Sequence, residues 1–165
     1  MNLKKFPKVG LRNIKTALSV LACILIFQLS GWTESPFYAC IAAVICMGDS
    51  VENSMKAGKN RLIGTLTGGI YGIIFIFLNP ITPIPQPFLI SLGIIAVIYT
   101  GVLIRKPASV AISCVVFLAI MTNLKGNSTY LYAVNRIIET AAGIIIAIFI
   151  NKYVNIPSRD DADSD

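Results

Sequence analysis

The sequence has 165 residues, of which 55% are hydrophobic and 13% charged, with a net charge of +6. At a mean hydropathy of +0.74, a soluble domain of this length has too little interior for its apolar surface, so the composition points to one integral membrane domain. The positive charge does not mark a nucleic-acid binder, because the basic residues fall in short clusters between apolar runs, where they set topology and touch anionic lipid headgroups.

Lys4, Lys5, Lys8, Arg12 and Lys15 precede the first apolar run, and no small-x-small cleavage site follows. An uncleaved first span is expected at about 16–29. Trp32 in the next link has the character of an interface anchor. A second span opens at Pro36, where a proline suits a first helical turn, and is drawn at 36–51, although its uninterrupted apolar run ends at Met47. The segment from Gly48 to Lys59 is polar and helical in part, and a third span covers 61–78. Asn79 to Pro87 holds four prolines and no charge, which predicts a stiff extended loop. Spans four, five and six follow at 88–104, 108–121 and 130–150, with Arg105 and Lys106 between the fourth and fifth. Thr122 to Thr129 reads as a polar loop, and the acidic stretch 158–165 as a disordered tail.

With the N-terminus inside, Lys4, Lys5, Lys8, Arg12, Lys15, Lys56, Lys59, Arg61, Arg105, Lys106, Lys152 and Arg159 all fall on the cytoplasmic side. Only Lys125 and Arg136 fall outside, so the positive-inside rule gives N-in and C-in.

One stretch recurs. Asn60, Arg61, Ile63, Thr65 and Gly68 match Asn135, Arg136, Ile138, Thr140 and Gly143 at a constant offset of 75 residues. Each half then has three spans, so the two halves must run antiparallel. The expected fold is all-α, six transmembrane helices in a 3+3 inverted repeat, an arrangement common in secondary transporters. The middle spans are short, which at matching positions of two halves points to a transport site. Alternatively, polar flanks such as Thr33 and Ser35, or Gly48 to Val51, complete them at the interface.

The candidate site residues lie mostly in the repeat. Arg136 and Glu139 are one to two turns into span six, where a charge costs about 3 kcal/mol or more unless paired or hydrated. At i, i+3 they share a helix face and form a neutral pair, or else Arg136 binds an anion while Glu139 carries a proton. Asn135, Thr140, Arg61 and Asn60 join the candidate anion site. For Arg61 the simpler account is snorkelling beside Lys56 and Lys59, with Asp49 and Glu52 as partners for that basic cluster. Gly64, Gly68 and Gly72 form two overlapping GxxxG units, a smooth stripe for close helix packing within or between subunits. Cys23, Cys40, Cys46 and Cys114 lie in apolar runs and behave as small hydrophobes. The absence of His removes the commonest metal ligand and general base. No nucleophile–base pair or phosphate-cradling glycine loop is present, so neither an enzyme nor a cofactor or metal is expected.

GLRNIKTAL (10–18), SPFYACIAAVICM (35–47), SMKAGKNRLIGTLTGG (54–69) and NRIIETAAGIIIA (135–147) resemble the membrane half of the aromatic acid exporter family, grouped with fusaric-acid-resistance-type (FUSC-like) proteins. The resemblance covers roughly residues 8 to 155, and the KAGKNRLIGTLTGG stretch is its most specific part. It implies a bacterial inner-membrane protein that exports aromatic carboxylates or similar small organic anions by proton antiport. Many such relatives add a cytoplasmic domain or a second membrane half. This sequence stops at its acidic tail, which raises the expectation of a homodimer or larger homo-oligomer. The rival readings are an oligomeric anion channel lined by arginines and a non-transporting membrane subunit.

Overall fold

The computed structural model of the chain describes residues 10–32, 34–122 and 129–154. They form six α-helices: α1 (Leu11–Leu29), α2 (Phe37–Cys46), α3 (Val51–Leu78), α4 (Gln86–Leu103), α5 (Pro107–Thr122) and α6 (Thr129–Tyr153). Four helical stretches are long and apolar enough to cross a membrane: Leu11–Leu29, Val51–Leu78, Gln86–Leu103 and Val134–Tyr153. α2 and α5 are shorter. With 10 and 16 residues, they extend about 15 and 24 Å at ~1.5 Å per residue.

Local chemistry sets several helix ends. Ser50 caps α3, its hydroxyl accepting from the Asn53 N–H at 3.1 Å, and Glu52 adds a negative charge to the first turn. Pro85 precedes α4, and Pro87 sits in the first turn, where its missing N–H breaks no helical bond. Arg105 ends α4 in the left-handed region at φ 54°, with the Lys106 N–H returning to the Gly101 carbonyl at 3.1 Å.

α3 packs most extensively on α5, and α2 on α6. The glycine stripe explains the first contact. A Cβ on Gly64 would lie 2.7 Å from the Ser109 carbonyl oxygen, one on Gly68 would strike the Ser113 carbonyl, and one on Gly72 would lie 2.8 Å from Ile120. Gly143 does the same in the second contact, backing onto the Ala39 carbonyl. The alanines 39, 42 and 43 on α2 and Ala147 on α6 keep that approach close.

The remaining contacts fall into matching sets. α4 packs on α5 as α1 packs on α2, and α3 meets α4 as α6 meets α1. Two apolar cores result. One holds Cys23, Phe27, Ala43, Cys46 and Ile144 between α1, α2 and α6. The other holds Phe75, Leu89, Val97, Phe117 and Met121 between α3, α4 and α5. α3 and α6 cross between them.

A polar latch closes one end. Asn151 donates to the Gly48 carbonyl at 3.1 Å and to the Ser54 hydroxyl at 2.9 Å, and Lys15 reaches the Asn151 side-chain oxygen at 3.3 Å. It ties the α2–α3 corner to α6 and α1, and it satisfies buried polar groups that would otherwise be unpaired.

The structure corrects several expectations. α2 stops at Cys46 instead of continuing to Val51, because Met47 turns to an extended backbone and Ser50 starts a new helix. α3 begins at Val51, ten residues before the expected third span, so the Gly48–Lys59 segment is helical in part, as expected. Asp49 pairs with Arg12 at 3.1 Å rather than with Lys56, Lys59 or Arg61. The glycine stripe is covered by α5 of the same chain, so it offers no surface for self-association. Lys4, Lys5, Lys8, the loop around Lys125 and the acidic tail lie outside the described residues.

Candidate functional site

A cavity of about 400 Å³ lies where α2, α3, α5 and α6 converge. α2 and α5 make no close backbone approach to each other, so the space between these two short helices is the cavity itself. α2 lines it with Phe37, Tyr38, Ile41 and Ile45. α5 lines it with Ala111, Ile112, Val115, Val116 and Ala119. The two long helices supply the polar groups: Arg61 and Thr65 from α3, Arg136 and Thr140 from α6.

These four polar residues are the repeat pairs. Arg and the Thr four residues on occupy one face of each helix, since i and i+4 stack above one another. Arg61 is 7% exposed, Arg136 5%, Thr65 1% and Thr140 2%. The helices run antiparallel, and Gly69 faces Ile137. That places Arg136 about eight residues along α3 from Arg61, or about 12 Å in backbone level. The long guanidinium side chains close part of this distance from opposite ends, with the threonines between. No carboxylate is among the lining residues.

The two arginines are held differently. Tyr38 places its ring 3.8 Å beneath the Arg136 guanidinium, a cation–π contact of about 2 kcal/mol when desolvated. Arg136 Nη1 donates to the Tyr132 hydroxyl at 3.1 Å, and the two tyrosine hydroxyls are hydrogen-bonded at 2.5 Å. Arg61 has no such clamp. Its Nε is buried without a hydrogen-bond partner. Snorkelling beside Lys56 and Lys59 does not describe it, since its side chain is buried in the cavity wall while those lysines are exposed.

Glu139 does not pair with Arg136: the ion pair within 4 Å among the described residues is Arg12–Asp49. The helix face that i, i+3 spacing predicts is there, but Arg136 turns to the tyrosines. Glu139, 1% exposed, faces the Trp32 indole and the Tyr38 backbone N–H at the start of α2. The exposed amides of a helix N-terminus suit a carboxylate there. Its Oε2 and the Trp32 Nε1 are both buried outside hydrogen-bonding geometry.

Asn60 and Asn135 do not line the cavity. Asn135 instead donates to Glu34 at 3.0 Å. Tyr38 and Tyr132 went unnoticed in the sequence. Tyr132 had a signal, lying one turn before Arg136 on the same helix face. Tyr38 had none, because only tertiary packing brings α2 to α6.

The chain is 24% identical over 157 residues to a UPF0421 protein of Oceanobacillus iheyensis, covering 95% of this chain and 43% of the relative. It is 27% identical over 155 residues to a UPF0421 protein of Halalkalibacterium halodurans, covering 93% of this chain and 41% of the relative. The chain thus spans less than half the length of these curated relatives. No solved structure matches it. The family profile described as aromatic acid exporter family member 1 matches residues 7–154, and with the match covering nearly all of its helices, the chain belongs to the aromatic acid exporter family.

Proposed function

We propose that this protein works in the bacterial inner membrane and exports small organic anions with an apolar body, aromatic carboxylates among them, in exchange for protons. The observation that carries this reading is the cavity: two buried guanidiniums, two hydroxyls and an otherwise apolar wall. Arginine keeps its charge and grips a carboxylate through paired N–H donors. Isoleucine, valine and phenylalanine side chains accept a ring or hydrocarbon body. Glu139 is the proton carrier in this scheme, since a buried carboxyl changes protonation as its surroundings change from wet to dry.

The paired helix contacts support a 3+3 inverted repeat with α1–α3 opposite α4–α6. The clustering of basic residues supports N-in and C-in. Thr82→Cys and Lys106→Cys check the orientation. An impermeant thiol reagent added outside intact cells is expected to label Cys at 82 and not at 106; the reverse pattern rejects N-in.

A passive anion channel is the second reading, favoured by the lack of any carboxylate among the lining residues. Flux from proteoliposomes separates the two. Efflux of benzoate is expected to speed up at least tenfold when protons are supplied on the opposite side. Efflux that follows voltage alone, indifferent to the pH gradient, means a channel.

A further inference from the structure

We infer that the cavity takes a divalent organic anion, one carboxylate at each end, in preference to a monocarboxylate. This deepens the anion-transport reading and rests on it. Arg61 and Arg136 are each more than nine-tenths buried and repel one another across the cavity. Like charges in a low-dielectric site are costly to hold together. The lining supplies no negative charge to offset them. Glu139, the buried carboxylate nearest in sequence, attracts Arg136 from outside the lining while turned toward Trp32 and the start of α2. A monoanion neutralises one arginine and leaves the other exposed to the first.

The arrangement of the donors is that of a two-ended ligand. At one end stands the Arg61 guanidinium and at the other that of Arg136, with the Thr65 and Thr140 hydroxyls between them. Each guanidinium serves one carboxylate. The rest of the wall is apolar, with Ile41, Ile112 and Val116, which suits an aromatic or hydrocarbon spacer. The ends differ in readiness. Arg136 rests on Tyr38 and Tyr132, whereas Arg61 has an unpartnered Nε and no clamp. The first carboxylate therefore docks at Arg61, and the second draws on the donors that Arg136 has left after Tyr132. Because the arginines approach from opposite ends, carboxylates set across a ring fit better than adjacent ones.

The test is calorimetric binding to the purified full chain in detergent, at a pH where all probes are fully ionised. The probes are benzoate and the 1,2-, 1,3- and 1,4-benzenedicarboxylates. The 1,4-dicarboxylate is expected to bind one per chain and at least tenfold more tightly than benzoate or the 1,2-isomer. Arg61→Gln and Arg136→Gln should each remove that preference, Arg61→Gln weakening benzoate as well, with Arg61→Lys and Arg136→Lys as charge-preserving controls should a glutamine variant fail to fold. Equal or tighter binding of benzoate, or two benzoates per chain with no gain for the dicarboxylate, overturns the divalent preference but leaves the anion cavity standing. Failure of every probe to bind folded protein overturns both.

Discussion

Leucine at position 68 should leave little folded protein in the membrane. α3 and α5 make the most extensive helix contact in the chain, and Gly68 lies at its middle. A Cβ there would strike the Ser113 carbonyl and come within 2.9 Å of Val116 Cβ. Overpacking a core typically costs about 1–3 kcal/mol. Here one obstacle is backbone, which has no rotamer to change, so a loss at or above about 3 kcal/mol is expected. Gly69→Ala is the control, since its Cβ would meet only Ile137, at an ordinary 3.7 Å. Size-exclusion profiles and thermal midpoints decide it. A Gly68→Leu protein as abundant and as stable as Gly69→Ala would mean that α3 and α5 do not pack this way.

Replacing Arg136 and Glu139 separately should give two folded proteins with different defects. A buried ion pair behaves otherwise: removing either partner strands the other, and removing both restores stability. The structure has no such pair, because Arg136 is engaged by Tyr38 and Tyr132 while Glu139 faces the start of α2. Arg136→Gln is therefore expected to weaken benzenedicarboxylate binding at least tenfold. Glu139→Gln should keep binding near normal and remove the response of flux to a pH gradient. The double variant should show both defects. Single variants that misfold beside a stable, active double variant would make the pair structural and end the proton-carrier role.

Much of this architecture was legible in the residues because it is local or periodic. Apolar runs located all six helices, and the 75-residue repeat matched Arg61 with Arg136 and Thr65 with Thr140, although of the threonines only Thr140 was placed in the candidate site. The shortness of the middle spans pointed to the cavity between α2 and α5. What stayed hidden depends on contacts between distant segments. Spacing alone made Glu139 the natural partner of Arg136; the competing ring of Tyr38 arrives from another helix. Arg61 read as a snorkelling interface residue because Lys56 and Lys59 lie near it in sequence. Its burial follows from how α3 faces α2 and α6, which no local pattern states. The 36–51 span overruns α2 because it takes in the polar flank Gly48 to Val51 to reach membrane-spanning length, whereas the Ser50 cap starts a new helix there.

The central claim is that the repeat brings two arginines into one anion-binding cavity. Thr65 and Thr140, which line it one turn from each arginine, make the most direct probes. Each is replaced by cysteine in turn and treated with anionic or cationic thiosulfonate reagents of similar size, with the reactivity of the native cysteines subtracted. The anionic reagent is expected to modify both positions at least tenfold faster than the cationic one, and added benzenedicarboxylate to slow both reactions together. Equal rates for the two reagents, or protection at neither position, would contradict it.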